Sequence, residues 1–328
     1  MRKKPVASLS FDLDNQWTYM RMHGIPGWEQ YPSYLDLAVP RILAFLADRE
    51  LTATFFVIGR DAASPENRQV LRAIASAGHE IGSHSYDHDP GFHLWSADRI
   101  DAELARAEEH IQATTGRRPV GFRAPGYKLS SPVLQALARR GYLYDASTYP
   151  TFLGPLAQAY FFATTRLSPR QKRERKVAFG TLRDGLRPLR PYRWRVADQQ
   201  NGLELVEIPV TTMPILRAPI HLTYVLYLSR VSPLLGLNYL RVGLLLCRAT
   251  GTLPSLLLHP LDFLGCDDLE SLTFFPAMDM AYEAKSRIVG EAMRLLCSQF
   301  RVTTLERRAR SRAAGLRVQS VKLGFPAR

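Results

Sequence analysis

Apolar positions along the chain switch between two periods. Val6-Ala-Ser-Leu-Ser-Phe11 is a short apolar run with partial alternation, reads as a first strand, and ends in Asp12-Leu13-Asp14-Asn15. From Tyr34 to Glu50 the spacing becomes helical, through Leu35, Val39, Ile42, Leu43 and Leu46. Thr52 to Val57 is a second strand, Gln69 to Ala77 a helix closed by Gly78, and Glu80 to His84 a third strand. Ser96 caps a helix to Thr115, Val120 to Phe122 is a short fourth strand, Ser131 to Arg140 is a helix stopped by Gly141, and Tyr142 to Tyr144 is a fifth strand. Leu203 to Val210 reads as strand six and the very apolar Leu253 to Leu258 as strand seven. The amphipathic stretch Ala281 to Phe300 then leads to a closing strand at Val302 to Leu305. Strand and helix alternating over this length predict an α/β fold with a parallel array.

Polar, titratable residues sit at the predicted C-terminal ends of these strands. Asp12 and Asp14 follow the first, His84 and His88 the third, Arg123 the fourth, Asp145 the fifth and His259 the seventh. In a barrel of parallel strands those ends converge on one site. Two imidazoles four residues apart suit zinc or a similar first-row metal, with Asp14 as a hard third ligand from elsewhere in the chain. Asp12, expected on the opposite face of the strand end, is placed to take a proton from a water. Each residue also has a plainer reading. Asp-Leu-Asp-Asn can simply turn the chain, Arg123 can fill a core salt bridge, and His259 can be a satisfied core histidine instead of a general acid. Asp87 reads as a turn residue, while Asp89, Pro90 and His93 shape the loop.

Composition and charge narrow the class. At 328 residues, with 46% hydrophobic and 22% charged, the chain is globular and long enough for one barrel-sized domain. Cys247, Cys266 and Cys297 are odd in number and widely spaced, which argues for a reducing compartment without a disulfide framework. The basic start is followed by too short an apolar run for a signal peptide, so the expected location is cytoplasmic, peripheral at the inner face of the membrane. The net charge of +13 is uneven: residues 166–195 carry eleven Lys or Arg against Glu174 and Asp184, and residues 307–328 carry seven basics and no acid. Such blocks favour an anionic partner, whether nucleic acid, an anionic membrane or a phosphorylated substrate.

Four motifs, Ser10-Phe-Asp-Leu-Asp14, His84-Ser-Tyr-Asp-His88, Arg123-Ala-Pro-Gly-Tyr127 and Leu256-Leu-Leu-His259, resemble in order and spacing those of the polysaccharide deacetylase family, the chitin and peptidoglycan deacetylase-like metal hydrolases. The resemblance covers residues 5–150 and returns at the later strands. It implies a distorted (β/α) barrel of about seven to eight parallel strands, with a basic and apolar insertion after strand five. It further implies a divalent metal, most commonly Zn2+, and removal of N-acetyl groups from amino sugars. By the same resemblance Asp12 matches the catalytic base, Asp14, His84 and His88 the metal ligands, and Arg123 the residue positioning the base. Tyr127 matches a backbone donor to the oxyanion and His259 the catalytic acid, while Asp145 lies where a partner to the arginine or the acid is supplied.

The chain departs from the family pattern at three points. Asp-x-Asp replaces the usual adjacent pair, resembling a branch that includes peptidoglycan deacetylases and allantoinase-type amidases. The fourth motif lacks its tryptophan, so substrate-binding candidates are Pro125, Trp17, Trp28 and Tyr149. The largest departure is the insertion 151–202, followed by an apolar stretch, 213–250, interrupted by Arg217, Arg230, Arg241 and Arg248. No uncharged run there is long enough to span a membrane. Either segment alone reads as a bulky barrel helix or a solvated loop, but both follow barrel strands and both flank the site, which favours an anionic, lipid-linked sugar. The expected organisation is a single catalytic domain, 1–306, with a basic, mobile tail, 307–328. The expected function is a metal-dependent N-deacetylase acting on a lipid-linked or cell-envelope glycan precursor. The runner-up is a metal-dependent amidase cleaving a non-sugar C–N bond. A nucleic-acid or carbohydrate binder would need neither the ligand triad nor His259.

Overall fold

The structure, a computed structural model, describes residues 4–165, 167–196, 203–312 and 318–320. Its strands are β1 (Val6–Asp12), β2 (Thr54–Val57), β3 (Glu80–Ser83), β4 (Gly121–Phe122), β5 (Tyr144–Asp145), β6 (Tyr192–Val196), β7 (Leu203–Glu207), β8 (Ser255–Leu258), β9 (Arg301–Thr303) and β10 (Val318–Ser320). They form one sheet in the order β10-β6-β7-β5-β4-β3-β2-β1-β8, with β9 also on β1. Every ladder is parallel except β6 with β7. The sheet curls into a half-barrel, and Thr211 N donating to Ser255 O at 3.1 Å joins the segment after β7 to β8.

The period of two along β1 explains the interior. Ala7, Leu9 and Phe11 point to the surrounding helices and join the main hydrophobic cluster. Ser8, Ser10 and Asp12 point into the barrel and are buried. Two buried arginines fill that polar interior. Arg308 donates to Ser8 Oγ at 2.8 Å and to the Leu253 and Pro254 carbonyls at 2.7 and 2.9 Å, while Arg123 donates to Ser10 Oγ at 3.0 Å and Asp12 Oδ1 at 2.6 Å.

Most expected elements are present, displaced by a residue or two. Three differences matter. The basic insertion contains β6, which pairs antiparallel with β7 and parallel with β10, and two helices, Gly154–Thr164 and Pro169–Lys176. The apolar stretch after Met213 is a helical pair, Leu222–Ser229 and Pro233–Thr250. The C-terminal tail does not start at 307: helix Leu305–Arg312 continues through that position and sends Arg308 into the barrel. Val318–Ser320 pairs with β6, and residues 313–317 and 321–328 of the expected tail lie outside the described residues. Cys247, Cys266 and Cys297 are all free. Among the described residues no helix is long and apolar enough to cross a membrane.

Candidate metal-binding active site

Asp12 ends β1, His84 follows β3, Arg123 follows β4, Asp145 ends β5 and His259 follows β8, so the parallel register delivers all of them to one rim. Asp14 and His88 lie in the loops just beyond. Asp14 Oδ1 stands 3.5 Å from His84 Nε2 and 3.2 Å from His88 Nε2. Among the described residues Asp14, His84 and His88 are a group able to hold a metal, with ligand atoms within 4.8 Å of one another. Asp14 Oδ1 is buried and has no hydrogen-bond partner, so a cation there would satisfy an otherwise orphaned acceptor. His84 Nδ1 faces the Arg123 carbonyl at 2.6 Å, which directs Nε2 at the site in the manner of a supported metal ligand. Burial alone would raise the Asp14 carboxyl, yet His88 and His84 hold it well below the usual range. Burial would lower His84, but Asp12, Asp14 and the Arg123 carbonyl outweigh it and raise it.

The histidine turn is held locally. Ser85 and His88 have φ of 62° and 47°, uncommon for residues with a Cβ. Glu103 Oε1 accepts from the Tyr86 and Asp87 amides at 3.0 and 2.7 Å, and His88 N donates to Ser85 Oγ. Arg21 pairs with Asp89 at 2.6 Å and donates to the Asp87 carbonyl, so Asp87 and Asp89 shape the loop as expected.

Asp12 is fixed by its other oxygen. Arg123 Nη1 holds Oδ1 at 2.6 Å, leaving Oδ2 4.0 Å from His84 Nε2 and 3.4 Å from the Tyr127 hydroxyl. Asp12 and Asp14 therefore face the same site, not opposite faces, because residues two apart in extended chain project to one side. Arg123, fully buried, also donates to the Ala146 carbonyl at 2.9 Å.

Four expectations need correction. The Tyr127 amide already donates to Ala124 O at 3.1 Å inside its own turn, where φ is 59°, so the phenol and not the N–H reaches the site. Asp145 touches neither Arg123 nor His259 through a hydrogen bond. It accepts from Ser147 Oγ at 2.6 Å and pairs with the carboxyl of Glu207, burial raising both groups. Trp17 is buried, with its indole N–H on Asp61 Oδ1 at 2.9 Å, and Trp28 packs against it instead of lining either cavity. Pro125 is buried at the start of the Tyr127 turn and lines neither cavity. Tyr149 does line a cavity, its ring tilted against that of Tyr127 with centroids 5.0 Å apart.

Residue-by-residue reading missed the support for His259. Thr223 Oγ1 lies 3.3 Å from His259 Nδ1 and donates to Asp262 Oδ1 at 3.1 Å, while the His259 amide donates to Asp262 Oδ2 at 2.8 Å. The Asp three residues after His259, opening a short helical turn, was the available signal. A cavity of about 250 Å³ holds Asp12, Asp14, His84, His88 and His259 together, and an adjoining one of about 430 Å³ shares Gly126, Tyr127 and Phe179 with it.

A parallel α/β half-barrel whose strand ends carry an Asp-His-His set, an arginine-held aspartate and an opposing histidine could hold a cation and act on a water beside it. Residues 3–144 match the sequence profile of the polysaccharide deacetylases. It is 30% identical over 112 residues to a peptidoglycan deacetylase of Helicobacter pylori, covering 34% of this chain and 37% of that protein. It is 32% identical over 167 residues to a peptidoglycan deacetylase-like protein of Gibberella zeae, covering 49% and 47% respectively. The chain thus spans less than half the length of these relatives. A crystal structure from Mycobacterium smegmatis, assigned to the polysaccharide deacetylases, shares the fold with a TM-score of 0.64 and 22% identity, over 99% of this chain and 95% of that one.

Proposed function

We propose that the chain is a metal-dependent carbohydrate N-deacetylase, removing an acetyl group from an amino sugar of a cell-envelope glycan or of its lipid-linked precursor. The observation that carries this reading is the geometry around Asp12. One oxygen is pinned by Arg123 at 2.6 Å while the other faces the Asp14-His84-His88 cluster. Relatives named as peptidoglycan deacetylases support the substrate class.

Asp14, His84 and His88 would hold a divalent ion, zinc by its two-imidazole, one-carboxylate set, and it would supply Lewis acidity toward the acetamide carbonyl and activate a water. Asp12 takes the proton of the attacking water through Oδ2. Arg123 keeps that carboxylate oriented, and the Tyr127 hydroxyl donates beside it. His259, braced by Thr223 and Asp262, gives a proton to the departing amine. Tyr149 lies in the adjoining cavity as a wall for the rest of the sugar chain. The Asp145–Glu207 pair acts behind Arg123, holding the Ser147–Thr148 backbone: Thr148 N donates to Glu207 Oε1 at 2.9 Å.

The test is acetate release by zinc-reconstituted protein on soluble N-acetylglucosamine oligomers and on a polyprenyl-phosphate-linked N-acetylhexosamine, with His84→Ala as blank. Release from either supports the deacetylase, and release from the lipid-linked sugar alone identifies the precursor. Silence on both, with the ion bound, overturns it in favour of an amidase for another C–N bond.

A further inference from the structure

Two surface pieces contribute to the wall of the larger cavity and a third adjoins them through Arg217 and Arg187, and each of the three holds apolar side chains out into water. The turn Leu182–Leu186 contributes Asp184 to the cavity and exposes Leu182 (62%) and Leu186 (74%). The hairpin 213–218 follows β7, is closed by the Thr212–Pro219 bridge, and exposes Ile215 (75%) and Leu216 (65%) at its tip. The helix Leu222–Ser229 lines the cavity with Tyr224 and ends at a corner where Val231 (82%) and Leu234 (72%) are exposed.

The three pieces are joined. Arg217 in the hairpin donates to the Arg187 carbonyl, just past the turn, at 2.8 Å. The Tyr239 hydroxyl of the following helix donates to Pro219 O at 2.7 Å, tying the hairpin to the corner. Phe152 packs onto Gly185, and Tyr160 hydrogen-bonds Tyr227, which closes the rim through helix Gly154–Thr164. An apolar patch of this extent around a cavity mouth marks an interaction surface, because isolated exposed leucines do not cluster at one opening.

The hairpin tip gives an independent sign. Ile215 adopts a φ of 73° and Arg217 a φ of 56°. A β-branched residue in the left-handed region is strained, and glycine or asparagine would relieve it. No core packing requires Ile215, since its side chain is in solvent. The strain therefore holds two large apolar residues outward, as an inserting tip needs.

Charge selects the occupant. Segment 166–195, which supplies the turn, carries eleven Lys or Arg against two acids. A second copy of the chain would set that excess against itself. Nucleic acid would be met by aromatic stacking and would gain nothing from Leu, Ile and Val tips. Apolar side chains flanked by arginines match the headgroup layer of a bilayer, with the tips among acyl chains and the guanidinium groups at lipid phosphates.

We propose that this rim is a docking surface for an anionic phospholipid bilayer, seating the cavity mouth on the membrane so that an amino sugar carried on a lipid phosphate enters from the bilayer side. Docking stands apart from the chemistry; only the substrate clause rests on the deacetylase reading. The two are tested separately, since vesicle binding is measured without substrate.

The experiment is co-sedimentation of the full chain with vesicles of phosphatidylcholine and phosphatidylglycerol in equal parts, at low and high salt, alongside the double variant Ile215→Asp/Leu216→Asp. Circular dichroism and thermal unfolding check that the variant folds. Wild type binds at low salt and keeps a salt-resistant fraction, and the variant's partition coefficient falls at least about tenfold because two apolar tips no longer insert. Its acetate release from soluble oligomers stays unchanged, since neither residue lines a cavity. Absence of wild-type binding at low salt overturns the proposal. So does binding that the variant retains in full, which assigns the contact to the basic loop alone. Self-association lost in the variant, without vesicle binding, also overturns it and gives the patch to a second copy.

Discussion

Asp12 and Asp14 carry the same functional group two residues apart, and their surroundings separate their tasks. Asp14 Oδ1 is left without a hydrogen-bond donor between two imidazoles, which suits a cation; Asp12 already has the Arg123 guanidinium on one oxygen, and the other faces the cluster, as the proposed base requires. Asp12→Asn is therefore expected to leave ion binding intact while kcat falls by roughly 10²–10⁴-fold, the range of general-base loss, as steady-state kinetics with metal analysis would show. Unimpaired turnover in that variant would remove Asp12 as the base. Asp61 offers a second residue-scale prediction. Burial, against hydrogen bonds from Trp17 and Asn15, pushes its carboxyl from 3.8 up to about 7. The folded state thus binds this proton more tightly than the unfolded chain, so the stabilisation is complete below about pH 4 and is lost as pH rises through about 7. In chelator-treated protein, denaturant titrations should show stability falling across that window by up to about 4 kcal/mol. Asp61→Asn should flatten the slope, and an unchanged slope would assign it elsewhere. Neither Asp61 nor the burial of Trp17 was legible in the sequence, because the indole–carboxylate contact spans 44 positions and only the fold brings it together.

At the scale of elements, β1 to β5 and β7 to β9 could be read because parallel strands buried on both faces are continuous apolar runs bounded by turn residues. β6 escaped for a physical reason. Tyr192 and Trp194 alternate with Arg193 and Arg195 in a strict period of two, but the pattern sits in a basic run and runs antiparallel to β7 in an otherwise parallel sheet. The same charge density hid helix Leu305–Arg312, whose basic residues suggested a mobile tail. Arg308 shows instead that this helix closes the lower barrel, with three hydrogen bonds to Ser8, Leu253 and Pro254. Arg308→Met strands those acceptors and is expected to lower unfolding stability by about 2–4 kcal/mol in denaturant titration. A loss under about half a kcal/mol would mean that the helix is not part of the cooperative unit.

Across the whole molecule, one register carries the chemistry. Parallel strands start together at the Arg308 end and finish together at the Asp-His-His end, so Asp12, Asp14, His84, His88 and His259 meet in one cavity with Arg123 buried behind Asp12. The motif order made the residues proposed here as ligand set, base, positioning arginine and acid visible in the sequence. The supports were not: Thr223 and Asp262 behind His259, Glu103 under the histidine turn and Glu207 beside Asp145 depend on packing between elements. The insertion supplies much of the second cavity's wall, through Leu153, Ala157, Phe179 and Asp184 among others. The most direct test is a calorimetric titration of zinc into chelator-treated protein, followed in the same samples by acetate release from an amino-sugar substrate. The account predicts one ion per chain, no binding in His84→Ala, and acetate release rising in proportion to ion bound. Acetate release that is independent of bound metal, or zinc bound equally by His84→Ala, would contradict it.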